Sequence, residues 1–330
     1  MRPPAAAGGT RNEVGLKSMS AYLFRRLWQS VPTLLGAILF VFLLFNWVGG
    51  DPAYVLAGKF SSPEQVEAIR RQLGVDQPLY VQLWIFIRQM LTGDFGLSWA
   101  TNEPVANILA TRLGPSLTVL LPMLLISTLI ALAAALLAAR LRGSVTDRMI
   151  MVSCTAGQSI SILVYIIVLQ YVLGYRLEWF PVQGWGNSLA QNLFVYSLLP
   201  VLVGVLVSLA PDIRLYRSFF LEEIRQDYVR TARAKGLSEA RIMAVHVLRN
   251  AGIPVITHVL IQLPALLTGA FLIERFFSIP GIGREVILAV ERSDFPVIKA
   301  VTVYIAMATI AVNIITDLVY RALDPRVRLE

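Results

Sequence analysis

The chain has 330 residues, of which 56% are hydrophobic and 15% charged; soluble domains carry about a quarter charged residues, so a soluble globular protein is excluded. Its apolar residues gather in runs of twenty or more, the length that crosses about 30 Å of hydrocarbon. The net charge of +8 would point to nucleic acid in a soluble protein, but in a membrane protein basic residues in short loops set orientation, and no nucleic-acid partner is expected.

Residues 1–20, rich in Pro, Ala, Gly and charge, read as a disordered cytoplasmic tail. Residues 22–28 mix aromatics with arginines and suit a short helix in the headgroup plane. Everything from 21 to 330 reads as one all-α transmembrane domain with six spans, at about 27–48, 114–139, 149–174, 196–216, 253–277 and 297–321. The first span is too long for a secretory signal core and has no small-residue cleavage site, so it reads as an uncleaved anchor. Between spans one and two lies an insertion, 49–113, expected as a small periplasmic cap. Its first helix has Ser62 as cap, Pro63 at the first position and Gly74 as stop, and a second helical run over 79–91 ends near Gly93.

Basic residues mark one side. Arg2, Arg11, Lys17, Arg25 and Arg26 precede span one, and Arg140, Arg142 and Arg148 crowd the link between spans two and three. Seven more, from Arg217 to Arg249, fill the link over 217–252, and Arg326 and Arg328 close the chain. An even number of spans puts both termini on that side, which is the cytoplasm. The sole cysteine, Cys154, excludes a disulfide framework and reads as a small buried hydrophobe.

No G-x-x-x-x-G-K-[ST] sequence is present, so this polypeptide does not cradle nucleotide phosphates itself. Gly281-Ile-Gly283-Arg, the nearest phrase, reads as a turn after Pro280. Proton-coupled carriers hold acids or histidines near the bilayer midplane. Here Asp212, Glu274 and Asp317 are expected toward span ends, and His258 has no acid nearby in sequence, so a separate ATPase is the expected energy source. No catalytic residue and no metal site is expected in this chain.

The most distinctive stretch is DYVRTARAKGLSEARIMAVHVLRNAGIP over 227–254. Ala232 and Ala234 offer a narrow face for close approach, Gly236 permits a helix-ending turn, and Arg230, Arg233 and Lys235 suit an acidic partner. A solvated basic loop would also satisfy the charge rule, but the order Arg-Thr-Ala-x-x-x-Gly followed by Arg249, Asn250 and Pro254 does not follow from charge. This stretch resembles the cytoplasmic loop of binding-protein-dependent ABC transporter permeases, and more narrowly the dipeptide/oligopeptide branch. Gly236 and Ala232 match the broad consensus, Glu-Ala-Ala-x-x-x-Gly-x9-Ile-x-Leu-Pro. Arg230, Thr231, His246 and Arg249 depart from it in the manner of the peptide branch. Stretches beginning at Gly50, Leu73, Gly93, Trp179, Glu274 and Tyr320 resemble the same branch in order. Residues 158–162, QSISI, lack the proline that the family often carries there and that would kink span three.

The resemblance implies a type I importer permease that forms half of a heterodimeric pore with a homologous second permease. Two ABC ATPase subunits, which use ATP and Mg, would dock on a coupling loop whose residues are Tyr228, Arg230, Ala232, Arg233, Lys235 and Gly236. An extracytoplasmic binding protein would deliver di- or oligopeptides, and the chain would hold no cofactor, only lipid around it, in the bacterial inner membrane. Spans two to five would line the passage, with Gln158, Ser159, Ser161, His258, Gln262 and Thr268 as polar candidates. Each of these residues equally suits hydrogen bonding between helices. Nickel, opines or peptide-like antibiotics are the alternative cargo within the branch, and an ion-coupled carrier is the alternative class. Two histidines in all argue against nickel ligation by this subunit.

Overall fold

The computed structural model describes residues 10–47, 51–57 and 62–323, and among them the only β pairing is an isolated bridge between Leu97 and Pro104. Among the described residues, five helices are long and apolar enough to cross a membrane, and a bent pair makes a sixth crossing if counted as one. The chain divides into two compact units, 1–105 with 293–330, and 106–292.

Helix α1 (Thr10–Trp47) begins well before the expected span. No proline lies between Pro4 and Pro32 to stop the helix running back from the apolar run. Residues 10–20, expected as tail, and 22–28, expected as a separate helix, therefore continue into the span; residues 1–9 lie outside the described part. After α2 (Pro52–Ala57), α3 (Pro63–Leu73) starts and stops where its local chemistry requires. Ser62 Oγ accepts from the Gln65 N–H at 3.3 Å, and Gln65 Oε1 accepts from the Ser62 N–H at 3.2 Å. Gly74, at φ +67°, ends the helix. Arg70 pairs with Asp51, joining α3 to the start of α2. Helix α4 (Leu79–Thr92) ends at Gly93, φ +73°.

The second unit holds nearly all of α5 (Val105–Arg140), then α6 (Val145–Gln158) and α7 (Ile162–Leu169), which runs on through a π turn to Arg176. Instead of one straight span over 149–174, α6 and α7 meet at 92°. The break needs no proline. Ser159 Oγ donates to the Thr155 carbonyl at 2.9 Å, Ser161 Oγ caps α7, and the Tyr165 hydroxyl donates to the Gly157 carbonyl at 3.0 Å. Short α8 (Leu189–Gln191) leads through a π turn into α9 (Leu198–Glu223). Because α9 continues past residue 216, Asp212 lies well inside a helix and not at its end.

Next come α10 (Asp227–Ala234), α11 (Glu239–Arg241) with its π turn to Val247, and α12 (Leu248–Thr268). Helix α12 stops at Gly269, φ +80°, so the expected span 253–277 is cut short, and α13 (Phe271–Phe276) and α14 (Ile282–Glu291) follow as separate short helices. The cause is Glu274. Its fully buried carboxylate accepts from the Ala270 N–H at 3.0 Å, the Arg284 N–H at 3.0 Å and the Ser116 hydroxyl at 2.8 Å. Ser116 Oγ in turn accepts from the Ile282 N–H at 2.9 Å. A methyl group on Gly269 or Gly281 would strike this carboxylate and one on Gly283 would strike the Phe271 backbone beside it, so only glycines let the chain fold around it. One apolar cluster of this unit joins Ala131, Ala135 and Ala139 of α5 to Tyr216 and Phe220 of α9; another joins Val119, Ile166, Leu199 and Ile279.

Helix α15 (Phe295–Leu323) completes the first unit and runs antiparallel to α1. Arg26 pairs with Asp317 at 2.6 Å near one end, and the rings of Phe45 and Phe295 meet edge-on at 5.6 Å near the other. Ile38, Val41, Phe42, Phe86, Met90 and Val303 form the core between α1, α4 and α15. Asp294 pins the turn after α4, accepting from the Ser98 hydroxyl and from the Trp99 and Ala100 N–H groups. The final motif residues, 324–326, lie outside the described part.

Candidate functional site

The link from α9 to α12 is a folded element with two distinct faces. On α10, Val229 is fully buried and Ala232 is 6% exposed, both inside the cluster that holds Tyr216 and Phe220. Ala232 therefore packs inward, and Ala234 is the small residue left on the outer face beside Arg230, Thr231, Arg233 and Lys235. The helix ends in a Schellman turn. The Gly236 N–H donates to the Arg233 carbonyl at 2.9 Å and the Leu237 N–H to the Ala232 carbonyl at 3.3 Å, with Gly236 at φ +76°.

Side chains at both ends of α10 make further bonds. The Tyr228 hydroxyl donates to Glu223 Oε2 at 2.6 Å, tying α10 back to the last turn of α9. Burial pushes the Tyr228 phenol up and the bond to Glu223 adds to that, against a smaller opposing effect from Asn250, so the hydroxyl keeps its proton and donates. Arg233 is held by Glu239 through two bonds, at 2.6 and 3.2 Å, and that partner raises its guanidinium further. Arg230 reaches only Asp227, at 3.3 Å on an exposed surface. A deeper brace lies close by in the fold: Arg217 of α9 grips Asp147 of α6 at 2.8 and 2.7 Å, and Asp147 accepts the Gly143 N–H at 3.0 Å. The 141–144 turn and the end of α9 thus share one end of this unit.

The polar residues expected along a path fall into two groups. Gln158, Ser159 and Ser161 surround the α6–α7 break, where Gln158 accepts from Arg214 of α9 at 3.0 Å and both serines serve the helix ends. His258 and Gln262 come together one turn apart on α12, with Gln262 Nε2 3.2 Å from His258 Nδ1. Thr268 ends α12, and its side chain lies outside the described residues.

His258 is not isolated from acids, as its sequence surroundings suggest. Tyr216 of α9 meets His258 Nδ1 at 3.2 Å, and Asp212, one turn earlier and 5% exposed, lies within electrostatic reach of His258 and faces Gln262. Asp212 Oδ2 has no hydrogen-bond partner among the described residues. Asp212 and Tyr216 went unrecognised because their partners are over forty positions away. The available signal was a pair of polar residues at i, i+4 on each of two helices. Gln262 also lines a cavity of about 190 Å³ between α5, α9 and α12, with Ser127, Ser208 and Leu124 among its walls.

Long apolar helices crossed several times by one chain, with a rigid polar helix and turn between two of them, define a polytopic membrane protein. Residues 127–329 match the family described as binding-protein-dependent transport system inner membrane component, and residues 19–121 match the N-terminal region of such membrane components. The chain belongs to this family. It is an inner-membrane permease of an ABC importer, a transport component and not an enzyme, and it works with ATPase and substrate-binding protein subunits. It is similar to the glutathione transport system permease protein GsiC of Shigella boydii serotype 4 (strain Sb227) and to that of Escherichia coli (strain K12). Each is 36% identical over 310 residues, covering 94% of this chain and 99% of the relative.

Proposed function

We propose that this permease carries glutathione or other short peptides, pairs with a homologous second permease and receives two ATPases that consume ATP and Mg. Near full-length similarity to permeases named for glutathione supports the cargo class. Both termini and the link between α9 and α12 face the cytoplasm in this reading, supported by the basic residues that crowd that link. The observation that carries the proposal is the two-faced α10. Its apolar side is locked among the membrane helices and its polar side is free, so a push on the outer face from a docked ATPase moves α9 and α12 as a rigid body.

Labelled glutathione and a dipeptide, offered with the binding protein to proteoliposomes holding the assembled transporter, test this. Uptake should need internal ATP and Mg and should survive collapse of the proton gradient. The same assay tests ion coupling, for which Asp212 beside His258 is the arrangement to consider. Loss of uptake with a protonophore at constant ATP would overturn ATP-driven transport by this chain.

A further inference from the structure

Lys299 lies one turn into α15, half-buried, and forms no ion pair among the described residues. Its ammonium stands over two rings, 5.5 Å from the centroid of Phe45 and 5.7 Å from that of Phe86. Aromatic faces attract a cation but leave its charge uncompensated. A charge drawn partly out of water without a counter-ion is costly, so such a site favours an incoming anion.

Lys299 lines a cavity of about 330 Å³ in the first unit, with Gln72 and Gln89 as neutral polar walls and Met90, Leu97 and Trp99 as apolar ones. Among the described residues, no acidic side chain lines it. The cavity's depth follows from the helices. Lys299 is four residues from the start of α15, roughly 6 Å along the axis. That is the level where a membrane passes from headgroups to acyl chains. The surroundings agree: Trp47 of α1 is 93% exposed, and α4 exposes Tyr80, Trp84, Ile85 and Leu91. Aromatics and aliphatics on one surface suit the interface of a bilayer.

We propose that the Lys299 cavity binds the phosphate of an anionic membrane phospholipid, with its acyl chains continuing from the cavity mouth into the bilayer. Lys299 supplies the charge, Gln72 and Gln89 supply neutral donors for the remaining oxygens, and the apolar walls exclude water from the pair. Lipid held there ties α3 and α4 to α15, because all three line the cavity.

Native mass spectrometry of the delipidated full chain, given phosphatidylglycerol, phosphatidylcholine of the same chains, or glycerol 3-phosphate, tests the site. Wild type should retain phosphatidylglycerol about fivefold over phosphatidylcholine, the scale of one basic residue at a membrane surface. Lys299→Met should abolish that preference, Lys299→Arg should keep it, and glycerol 3-phosphate should not displace the lipid. A second measurement needs no Lys299 variant: the fluorescence lost in Trp99→Phe, at the cavity wall, should be quenched more by phosphatidylglycerol brominated near the headgroup end of its chains than by the matching choline lipid. Equal retention or equal quenching of the two lipids in wild type overturns the proposal. So does a preference that survives Lys299→Met, and full displacement by glycerol 3-phosphate would make the cavity a soluble-anion site.

Discussion

Gly236 is where the proposed lever meets a single backbone angle. At φ +76° it occupies the left-handed region, and a Cβ built there would meet nothing within 4 Å. A substitution therefore brings no clash, and its whole cost is conformational. For an L-residue that cost is about 1–2 kcal/mol, at the upper end for β-branched valine. If the turn gives way instead, the two bonds that close it, from the Gly236 and Leu237 N–H groups, are lost at roughly 0.5–1.5 kcal/mol each. The two routes together span about 1–3 kcal/mol, a shift of about 5- to 150-fold against the native turn. Gly236→Val should thus weaken ATPase copurification and peptide uptake, while helical content in detergent stays unchanged. Gly236→Asn should retain most of both, because asparagine tolerates the left-handed region. Full assembly and uptake by the valine variant would return this link to a plain topological signal. An asparagine variant worse than valine would refute the φ reasoning itself.

Ala232→Leu overpacks a buried site and should cost about 1–3 kcal/mol of thermal stability in detergent, whereas Ala234→Leu, on the exposed face, should leave stability intact and lower only ATPase binding. Arg230→Glu loses an ion pair that is 74% and 94% exposed, so unfolding should not shift, and any loss of uptake then reports a partner contact. Glu274→Gln turns an N–H₂ toward groups that already donate to the carboxylate, and should lower the unfolding midpoint by an amount corresponding to about 1.5–3 kcal/mol. For topology, cysteines at Glu67 and Ser238 treated with an impermeant maleimide in intact cells should label at the first site alone. Cys154 is buried and should add little background, and labelling at Ser238 would overturn the assigned sidedness.

Features set by neighbouring residues were legible in the sequence. The Ser62 cap, Pro63 and Gly74 fix α3 within a dozen positions, and Gly236 ends α10 through bonds to residues three and five back. Features set across the fold were not. The α6–α7 break lacks proline and rests on serine hydroxyls that an apolar run gives no reason to weigh. Arg217 reads as one more orienting charge, yet Asp147, seventy residues earlier, holds it bidentately. The stretch from Glu274 to Gly283 was recognisable as a pattern, but its glycines have a reason only once the carboxylate stands between them with Ser116 of α5 bonded to it. His258 was assigned no acid because Asp212 comes near only when α9 packs along α12.

The two faces of α10 separate positioning from recognition. Exposed ion pairs contribute about 0–1 kcal/mol, so neither Arg233 with Glu239 nor Arg230 with Asp227 can hold the helix in place. Val229 and Ala232 can, because they sit in the same apolar cluster as Tyr216 and Phe220, and Tyr228 adds a buried-side bond to Glu223. The basic residues are thereby relieved of any structural duty and remain on the surface where a partner would meet them. A loop shaped only by the rule of positive charge inside would need the bases alone. It would have no use for a buried valine, an inward alanine or a glycine at positive φ, and the presence of all three within eight residues supports the proposal that this link is a docking element built on the membrane helices themselves.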